Sequence, residues 1–163
     1  MKDSIQICLD SNVGNFPSKR DADGCYDIYA NFEEEFMVIQ PNQVRLIPTK
    51  IFSKFDSKYR ISVRERGSNT KSGMIVMAGQ IDSNYRGEWF VAIYNGNDKP
   101  IELTKHVAEV MVNEDFIRVP YSKAIAQFAI EVVPNIEIEN VSKFIITDSI
   151  TERGDGMLGS SNK

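Results

Sequence analysis

Short apolar stretches broken by turn-forming residues recur along almost the whole chain. In residues 5–9 and 59–63 apolar and polar residues alternate, which is the period of a half-buried strand. Residues 44–48 are a short apolar run, and residues 74–77 and 125–133 are fuller apolar runs typical of buried strands. Every window of a dozen residues lacks a convincing 3.6-residue period. The pattern predicts an all-β sandwich or barrel in one domain, with at most a short helix late in the chain.

The composition sets the size and the broad class of the protein. A chain of 163 residues with 42% hydrophobic content is long enough for one domain with a substantial core. The net charge of −4 argues against binding to a nucleic-acid backbone, which requires a basic face. The sequence has no apolar run long enough to cross a membrane, and its N-terminus lacks the layout of a signal peptide. We therefore expect a soluble, cytoplasmic protein with no nucleic-acid partner and no membrane partner.

The cysteines and the single histidine argue against several kinds of site. Cys8 and Cys25 lie in strand-like surroundings without a CxxC motif or a Cys/His cluster, so we predict reduced thiols in the core. This prediction leaves no disulfide and no zinc site. His106 has no obvious serine or cysteine partner in the sequence, which argues against a hydrolytic triad.

Residues 78–90, AGQIDSNYRGEWF, contain the most distinctive combination of side chains in the chain. Gly79 enters a predicted hairpin and Gly87 leaves it, and glycines there let the backbone approach a flat ligand closely. Asp82 could act as a general base on a bound water, and Tyr85 could stack on a sugar or a base. A surface hairpin, in which the aspartate serves the turn and the tyrosine covers a sheet face, explains the same residues. From this stretch alone, the surface hairpin is the favoured interpretation.

Two further stretches suit a phosphate-bearing ligand. In residues 64–73, RERGSNTKSG, the groups of Arg66, Gly67 and Ser68 offer a guanidinium, backbone N–H donors and a hydroxyl. An exposed basic loop is an equally good interpretation of that stretch. Gln127 lies inside the apolar run AIAQF and must find a partner, because burying it unpaired costs roughly 1–3 kcal/mol. Its partner is either the neighbouring backbone or a phosphate.

The last residues, 151–163, have the composition of a flexible tail. The sequence TERGDGMLGSSNK contains three of the ten glycines of the chain. An anionic ligand could order such a tail through Arg153 and glycine N–H groups, so that the tail serves as a lid. Composition by itself favours a disordered segment without a function.

Taken together and in this order, five segments resemble the five motifs of the trimeric dUTP diphosphatase (dUTPase) family, and its phage and bacterial branch in particular. The third is highly specific, and the match spans nearly the whole chain. The segments are GCYDIYA at 24–30, RGS at 66–68, GQIDSNYRGE at 79–88, AIAQF at 124–128 and ERGDGMLGSS at 152–161.

This resemblance implies a particular fold and assembly. It implies a single β jelly-roll domain over residues 1–147, followed by a flexible C-terminal arm over residues 148–163. It also implies a homotrimer with three sites at subunit interfaces, where each arm closes over a site formed by the other two subunits.

The resemblance also implies hydrolysis of dUTP to dUMP and pyrophosphate with the assistance of Mg²⁺. Asp82 would activate a water for in-line attack on the α-phosphorus. Backbone groups of Gly79, Gln80 and Ile81 would pair with the uracil edge, Tyr85 would pack under the deoxyribose, and Leu158 would cover the uracil. The implied phosphate ligands are Arg66, Gly67, Ser68, Gln127, Arg153, Gly159 and Ser160, and Asp27 would lie near the waters of the metal.

The chain departs from the family pattern at several points. The second motif reads Arg66-Gly67-Ser68 where Arg-Ser-Gly is common, and Leu158 stands where many members have a phenylalanine that stacks on uracil. The region 105–121 is longer than the minimal family connection. It is either an extended hairpin, which we favour because loops tolerate insertions, or a surface that binds a protein, as in phage dUTPases that bind repressors.

Two other functions remain open at this stage. The first is a nucleotide-responsive regulatory module whose protein partner docks on residues 105–121, although a sensor has no need of the base Asp82. The second is deamination of dCTP on the same jelly-roll, which needs an acid/base group at the pyrimidine C4. The turn around Asp82 suits the uracil edge instead, so the hydrolase is the preferred hypothesis.

Overall fold

The computed structural model describes residues 4–12, 14–148, 150–151 and 153–156. Within these ranges the chain forms thirteen strands, one 3-10 helix and one short α-helix. The elements are β1 (Gln6–Leu9), β2 (Tyr26–Tyr29), β3 (Phe36–Ile39), β4 (Val44–Pro48), β5 (Ile51–Lys54), β6 (Tyr59–Arg64), a 3-10 helix (Gly67–Ser72), β7 (Met74–Met77), β8 (Gln80–Ile81), β9 (Phe90–Asn95), β10 (Ile101–Thr104), β11 (Met111–Val112), β12 (Ile117–Pro120), β13 (Ala124–Val132) and α1 (Lys143–Thr147).

The strands form four small sheets in a jelly-roll-like arrangement. Their orders are β1-β5, β11-β12-β10-β3, β2-β13-β6-β8 and β4-β9-β7. Within the described residues, β10 and β12 are the one parallel pair of strands, and the other pairs are antiparallel. The all-β prediction is therefore confirmed.

The core lies between these sheets and is built around aromatic side chains. Trp89 and Phe128 are both 1% exposed, and their rings meet edge to face at 5.4 Å. Tyr26 stacks on Phe128, with the two ring centroids 5.1 Å apart. Full burial of a large apolar side chain contributes roughly 1.5–3 kcal/mol, so this cluster ties β13 and β2 firmly to the segment before β9.

Local structure differs from the sequence-based expectation at the Asp82 segment and at the cysteines. The predicted hairpin over residues 79–88 is wrong, because β8 pairs with β6, and the chain leaving the turn continues into β9, which pairs with β4 and β7. The prediction that both cysteines are core residues is also wrong, since Cys8 is exposed and Cys25 is half-buried. Both thiols are free.

The C-terminal part of the described chain has few contacts with the domain. The short predicted helix forms as α1, but Phe144 and Ile145 are 72% and 60% exposed. Nowhere in the described ranges does a helix have the length and apolar character needed to cross a bilayer.

Candidate functional site

A polar cavity of about 820 Å³ brings together residues from three separate segments. We call it the polar pocket and define it by Asp27, Arg66, Gly67, Ser68 and Gln127. The sheet order places β2, β13 and β6 side by side, with Gln127 opposite Asp27 on one neighbour and opposite the last residue of β6 on the other. This register brings the first, second and fourth motifs next to one another within one chain.

Arg66 is held by a bidentate ion pair at the wall of the polar pocket. Its Nε and Nη2 atoms donate to the two carboxylate oxygens of Asp27 at 2.8 and 3.0 Å, and Nη1 donates to Ser68 Oγ at 3.1 Å. Such fork-to-fork pairing fixes the plane of a guanidinium. The side chains of Arg66 and Asp27 are 25% and 28% exposed, so a phosphate could still reach them.

Gln127 satisfies its amide within the chain. Its Nε2 atom donates to the carbonyl of Glu65 at 2.7 Å, which ties β13 to the start of the Arg66 segment. This contact is the backbone alternative considered from the sequence. The same amide group has a second N–H that can donate to a ligand, and the residue lines the polar pocket.

The segment after Arg66 is a 3-10 helix rather than an open loop. It ends at Gly73, whose φ of 63° is a left-handed conformation that favours glycine. Asn69 is 1% exposed and donates from Nδ2 to the carbonyl of Ile125 at 2.7 Å. Sequence reasoning missed this contact, because nothing in the polar run RERGSNTKSG distinguishes a buried asparagine from an exposed one.

The segment with Asp82, residues 79–88, depends on close approach between backbones, and we call it the Asp82 turn. The Val63 N–H donates to the Gly79 carbonyl at 2.6 Å, and a Cβ on Gly79 would lie 2.1 Å from the Val63 carbonyl oxygen. Only glycine fits this approach. Gln80 and Ile81, which form β8, continue the pairing with β6. β8 is the last strand of its sheet, so among the described residues no further strand pairs with its outer edge.

Asp82 and Tyr85 lie at the exposed end of this turn. The Tyr85 N–H donates to the Asp82 carbonyl at 3.1 Å, and Tyr85 Oη donates to the Glu88 carbonyl at 2.9 Å. A Cβ on Gly87 would lie 2.4 Å from Tyr85 Oη, so this glycine makes room for the folded tyrosine. Asp82 is exposed and lines a cavity of about 650 Å³ together with Arg60.

One chain does not bring Asp82 and Arg66 together. Ile81, the residue before Asp82, pairs with Ile61 near the start of β6, whereas Arg66 follows the end of β6. At about 3.3 Å per residue, this separation along the strand direction is about 17 Å. The polar pocket and the Asp82 turn are therefore two separate parts of the candidate site on one chain, and we refer to them as the half-sites.

The predicted residues of the C-terminal arm lie apart from both half-sites or outside the described part. Arg153 is exposed, and its Nε donates to the carbonyl of Gly156 at 3.1 Å. Leu158, Gly159 and Ser160 lie outside the described residues.

The side chains that line the polar pocket are compatible with an Mg²⁺ ion that arrives bound to a phosphorylated ligand. Among the described residues, no group of three or more His, Cys, Asp or Glu side chains could hold a metal ion. Mg²⁺ usually keeps several waters and takes one or two carboxylates in addition to substrate phosphates. Asp27 offers a carboxylate at the edge of the pocket that could accept from the waters of such a cation, and both of its oxygens are paired with Arg66.

Comparison with known proteins gives consistent results. The dUTPase family model matches residues 12–113. A deoxyuridine 5'-triphosphate nucleotidohydrolase of Wolbachia pipientis subsp. Culex pipiens is 31% identical over 140 residues, which cover 84% of this chain and 79% of that protein.

Solved structures of phage proteins share the fold. The dUTPase of Staphylococcus bacteriophage 80alpha, with dUPNHPP, superposes with a TM-score of 0.76 at 20% identity over 99% of this chain and 100% of that chain. A variant dUTPase from phage phi11 of S. aureus, whose structure describes coordination of a structural Mg(II) ion, has a TM-score of 0.67 at 18% identity, over 87% of this chain and 99% of that chain.

These comparisons confirm both the jelly-roll-like fold and the resemblance drawn from the five motifs. The family match covers more than half of the chain, and the Wolbachia relative covers most of it. The chain belongs to the dUTPase family.

Proposed function

We propose that the protein hydrolyses dUTP to dUMP and pyrophosphate, and that it acts in the cytoplasm, where it keeps uracil out of DNA and supplies dUMP. The observation that carries this proposal is the Asp82 turn. Within a few residues it offers an exposed carboxylate, a free backbone edge opened by Gly79, and the ring of Tyr85. These are the groups that a uracil base, a deoxyribose and a nucleophilic water require.

The free edge of β8 is the proposed reader of the base. Backbone N–H and C=O groups of Gly79, Gln80 and Ile81 would pair with the donor and acceptors of the uracil edge. Cytosine presents a different pattern of donors and acceptors, so it would leave polar groups unpaired, which is costly in a closed site. Tyr85 would pack under the deoxyribose and leave no room for a 2′-hydroxyl.

Asp82 is the proposed general base. It would take a proton from water as the water oxygen forms a bond to the α-phosphorus and the bond from that phosphorus to the bridging oxygen breaks. Pyrophosphate leaves with the electron pair of the broken bond. Negatively charged phosphate oxygens repel a nucleophile, so the site must neutralise them while it holds the water in line.

The polar pocket supplies that neutralisation in the proposal. Arg66, the N–H of Gly67, Ser68 and Gln127 would hold phosphate oxygens, and Asp27 would hold waters of the Mg²⁺. When bound to the triphosphate, Mg²⁺ neutralises part of the negative charge. Residues 148–163 would act as an arm that closes the site, with the ligands Arg153, Gly159 and Ser160 for the phosphates and Leu158 over the uracil.

The separation of the half-sites supports a shared active site in a homotrimer. About 17 Å along β6 is longer than the span of a triphosphate, so one subunit would provide Asp82 and its neighbour Arg66. An exposed apolar sheet face on β4, β9 and β7 also supports association of subunits. β7 leads directly into Gly79, so this face adjoins the Asp82 turn along the chain. This face consists of Val44, Leu46, Ile75, Met77 and Phe90, each 42–59% exposed in the single subunit.

A substrate panel tests the reaction. Pyrophosphate release from dUTP, dTTP, dCTP and UTP is measured with Mg²⁺ and again with a chelator. We expect cleavage of dUTP alone, and loss of that cleavage when the metal is removed. No pyrophosphate from dUTP would reject the proposal, and ammonia from dCTP would move the deaminase hypothesis to the front.

Subunit mixing tests the shared site. The variants Asp82→Asn and Arg66→Ala are each expected to have little activity, and refolding them together should restore about a quarter of the sites, because each site takes one group from each of two subunits. The control mixes Asp82→Asn with the double variant Asp82→Asn/Arg66→Ala, which should restore nothing. A mixed assembly without regained activity, or a monomeric mass in solution scattering, would contradict sharing.

We also propose a second, regulatory function for residues 105–121, carried by one observation. β11 is an edge strand, and its residues Met111 and Val112 are 52% and 65% exposed, next to Val110 at 38%. An exposed apolar edge can pair with a strand of another protein. Shortening residues 108–115 to a tight turn should leave dUTP hydrolysis intact and abolish binding of such a partner in a pull-down. An unchanged set of bound proteins would reject this function.

A further inference from the structure

Asn69 is the most deeply buried polar side chain near the polar pocket, and the proposed chemistry does not use it. It is 1% exposed and follows directly after Ser68 in the 3-10 helix. Its Nδ2 atom donates to the carbonyl of Ile125 at 2.7 Å and approaches the carbonyl of Ala124 at 3.4 Å. A buried amide that makes these bonds fixes the distance between the two segments it joins.

The acceptor carbonyls lie at an irregular place in β13. The register between β13 and β2 shifts between Ala124 and Ala126, so the strand bulges at Ile125. A bulge leaves a residue outside the ladder, and its backbone groups need another partner. The Asn69 amide supplies that partner. Two residues further along the strand, β13 presents Gln127 to the polar pocket.

The backbone of Asn69 is also tied to the 3-10 helix on both sides. Its N–H donates to the carbonyl of Arg66 at 2.9 Å, and its carbonyl accepts from Ser72 Oγ at 2.9 Å. Its Oδ1 atom lies 3.5 Å from Ser68 Oγ. Ser68 Oγ also accepts from Arg66 Nη1, so Arg66, Ser68 and Asn69 form one connected group of hydrogen bonds.

We propose that Asn69 is a positioning residue that sets the spacing between the Arg66-Gly67-Ser68 segment and Gln127, and so the affinity of the polar pocket for a polyphosphate. This inference rests on the proposed function in one respect, the assignment of the polar pocket to phosphates. The proposed function assigns Asn69 no contact with the substrate, and the residue is buried behind the polar pocket rather than in the Asp82 turn. Its effect therefore falls on binding of the phosphates and leaves binding of the base and the sugar unchanged.

The experiment compares Asn69→Leu, which keeps the size of the side chain and removes its donor, with Ile101→Val in β10. Ile101 is fully buried and has no contact with the pocket, so this variant controls for a general loss of stability. Calorimetry with Mg²⁺ measures binding of inorganic pyrophosphate, as a probe of the phosphates, and of deoxyuridine, as a probe of the base and sugar. The thermal midpoint of each variant is recorded alongside.

In Asn69→Leu we expect the affinity for pyrophosphate to fall by at least about tenfold, with deoxyuridine affinity unchanged, because small misplacements of binding groups have effects of this size. Ile101→Val should leave both affinities unchanged at a comparable thermal midpoint. Equal losses for both ligands, or an unchanged pyrophosphate affinity, would overturn the inference. Failure of the wild type to hydrolyse dUTP would instead reject the proposed function, so the two failures are distinguishable.

Asn69→Asp gives a second readout, which is compared with the thermal midpoint at each pH so that a change in affinity is separated from a change in stability. At neutral pH the introduced carboxylate can only accept, whereas at lower pH the protonated carboxyl can donate to the Ile125 carbonyl. Relative to the wild type at the same pH, pyrophosphate affinity should recover as the pH falls. A ratio to wild type that is independent of pH would count against the donor role.

Discussion

The polar pocket and the Asp82 turn are built in opposite ways. Side chains hold the polar pocket, through the Arg66–Asp27 ion pair, the Gln127 amide and the buried amide of Asn69. Backbone holds the Asp82 turn, where Gly79 lets two chains approach so closely that a Cβ would collide. The ligand affinity of a pocket held by side chains should change gradually as charges are altered. A turn held by backbone contact tolerates almost no added atom.

The largest expected effect is at Asp82. In Asp82→Asn the amide keeps the shape of the side chain but cannot accept a proton from water, so kcat for dUTP should fall by about 10²–10⁴-fold. KM should change little, because the residue is exposed and its side chain is not assigned to substrate binding. Single-turnover hydrolysis and binding of a non-hydrolysable dUTP analogue measure the two effects. An active variant would show that the base lies elsewhere.

The next effect tests the backbone approach itself. Gly79→Ala places a Cβ 2.1 Å from the Val63 carbonyl oxygen, so the turn must move and the free energy of unfolding should fall by about 1–3 kcal/mol. Activity should fall with it, because the edge that we propose reads the base is displaced. Gly24→Ala is the matched control for stability, since nothing lies within 4 Å of its added Cβ. Equal denaturation midpoints for both variants would contradict the close approach.

A smaller effect, with a sign that depends on the metal, is expected in the polar pocket. Asp27→Asn removes a negative charge beside Arg66, so without Mg²⁺ the affinity for pyrophosphate should rise a few-fold. With Mg²⁺ the affinity should fall, because the waters of the cation lose their carboxylate partner. Calorimetric titrations with and without the metal measure both arms. A change of the same sign in both would remove Asp27 from the proposed metal site.

The smallest effect concerns the face of the sheet between the two half-sites. Glu131 in β13 forms ion pairs with Arg60 and Arg64 of β6. The hydrogen bond from Arg60, and after it that from Arg64, holds the pKa of the Glu131 carboxyl below its ordinary value. The stabilisation is present at neutral pH and is lost as the pH falls from the ordinary glutamate range down through the lowered pKa of Glu131. Glu131→Gln should therefore flatten the acid side of the stability curve.

Denaturation midpoints of the wild type and of Glu131→Gln from pH 3 to pH 7 measure this dependence. The effect is modest because the side chains of both arginines are about half exposed to solvent. Parallel curves across that range would show that the ion pairs contribute nothing to folding.

The strands were predictable because their signal is local. The period of two in residues 59–63 and the apolar run at 125–133 correspond to β6 and β13, and the five motifs identified the family before any contact was known. The partner of β8 was not predictable, because adjacent segments joined by a short turn look like a hairpin in sequence. Its pairing with β6 depends on a contact between Gly79 and Val63, which are sixteen positions apart.

Within the candidate site, the residue types were readable from the sequence and their connections were not. Asp82, Arg66 and Gln127 stand out by chemistry, whereas Asn69 looks like any polar loop residue until it is placed against Ile125. The exposure of Cys8 was likewise missed, because a strand pattern does not say which face of an edge strand is covered.

The sequence by itself determined the all-β class, the family and the chemical groups of the site, because alternation and short motifs are properties of neighbouring residues. Only the tertiary structure decided that these groups form two half-sites, since the distance between Asp82 and Arg66 depends on which end of β6 each segment meets. It also decided what holds each half in place. Backbone contact and buried hydrogen bonds join residues far apart in the chain, and a linear pattern does not contain that information.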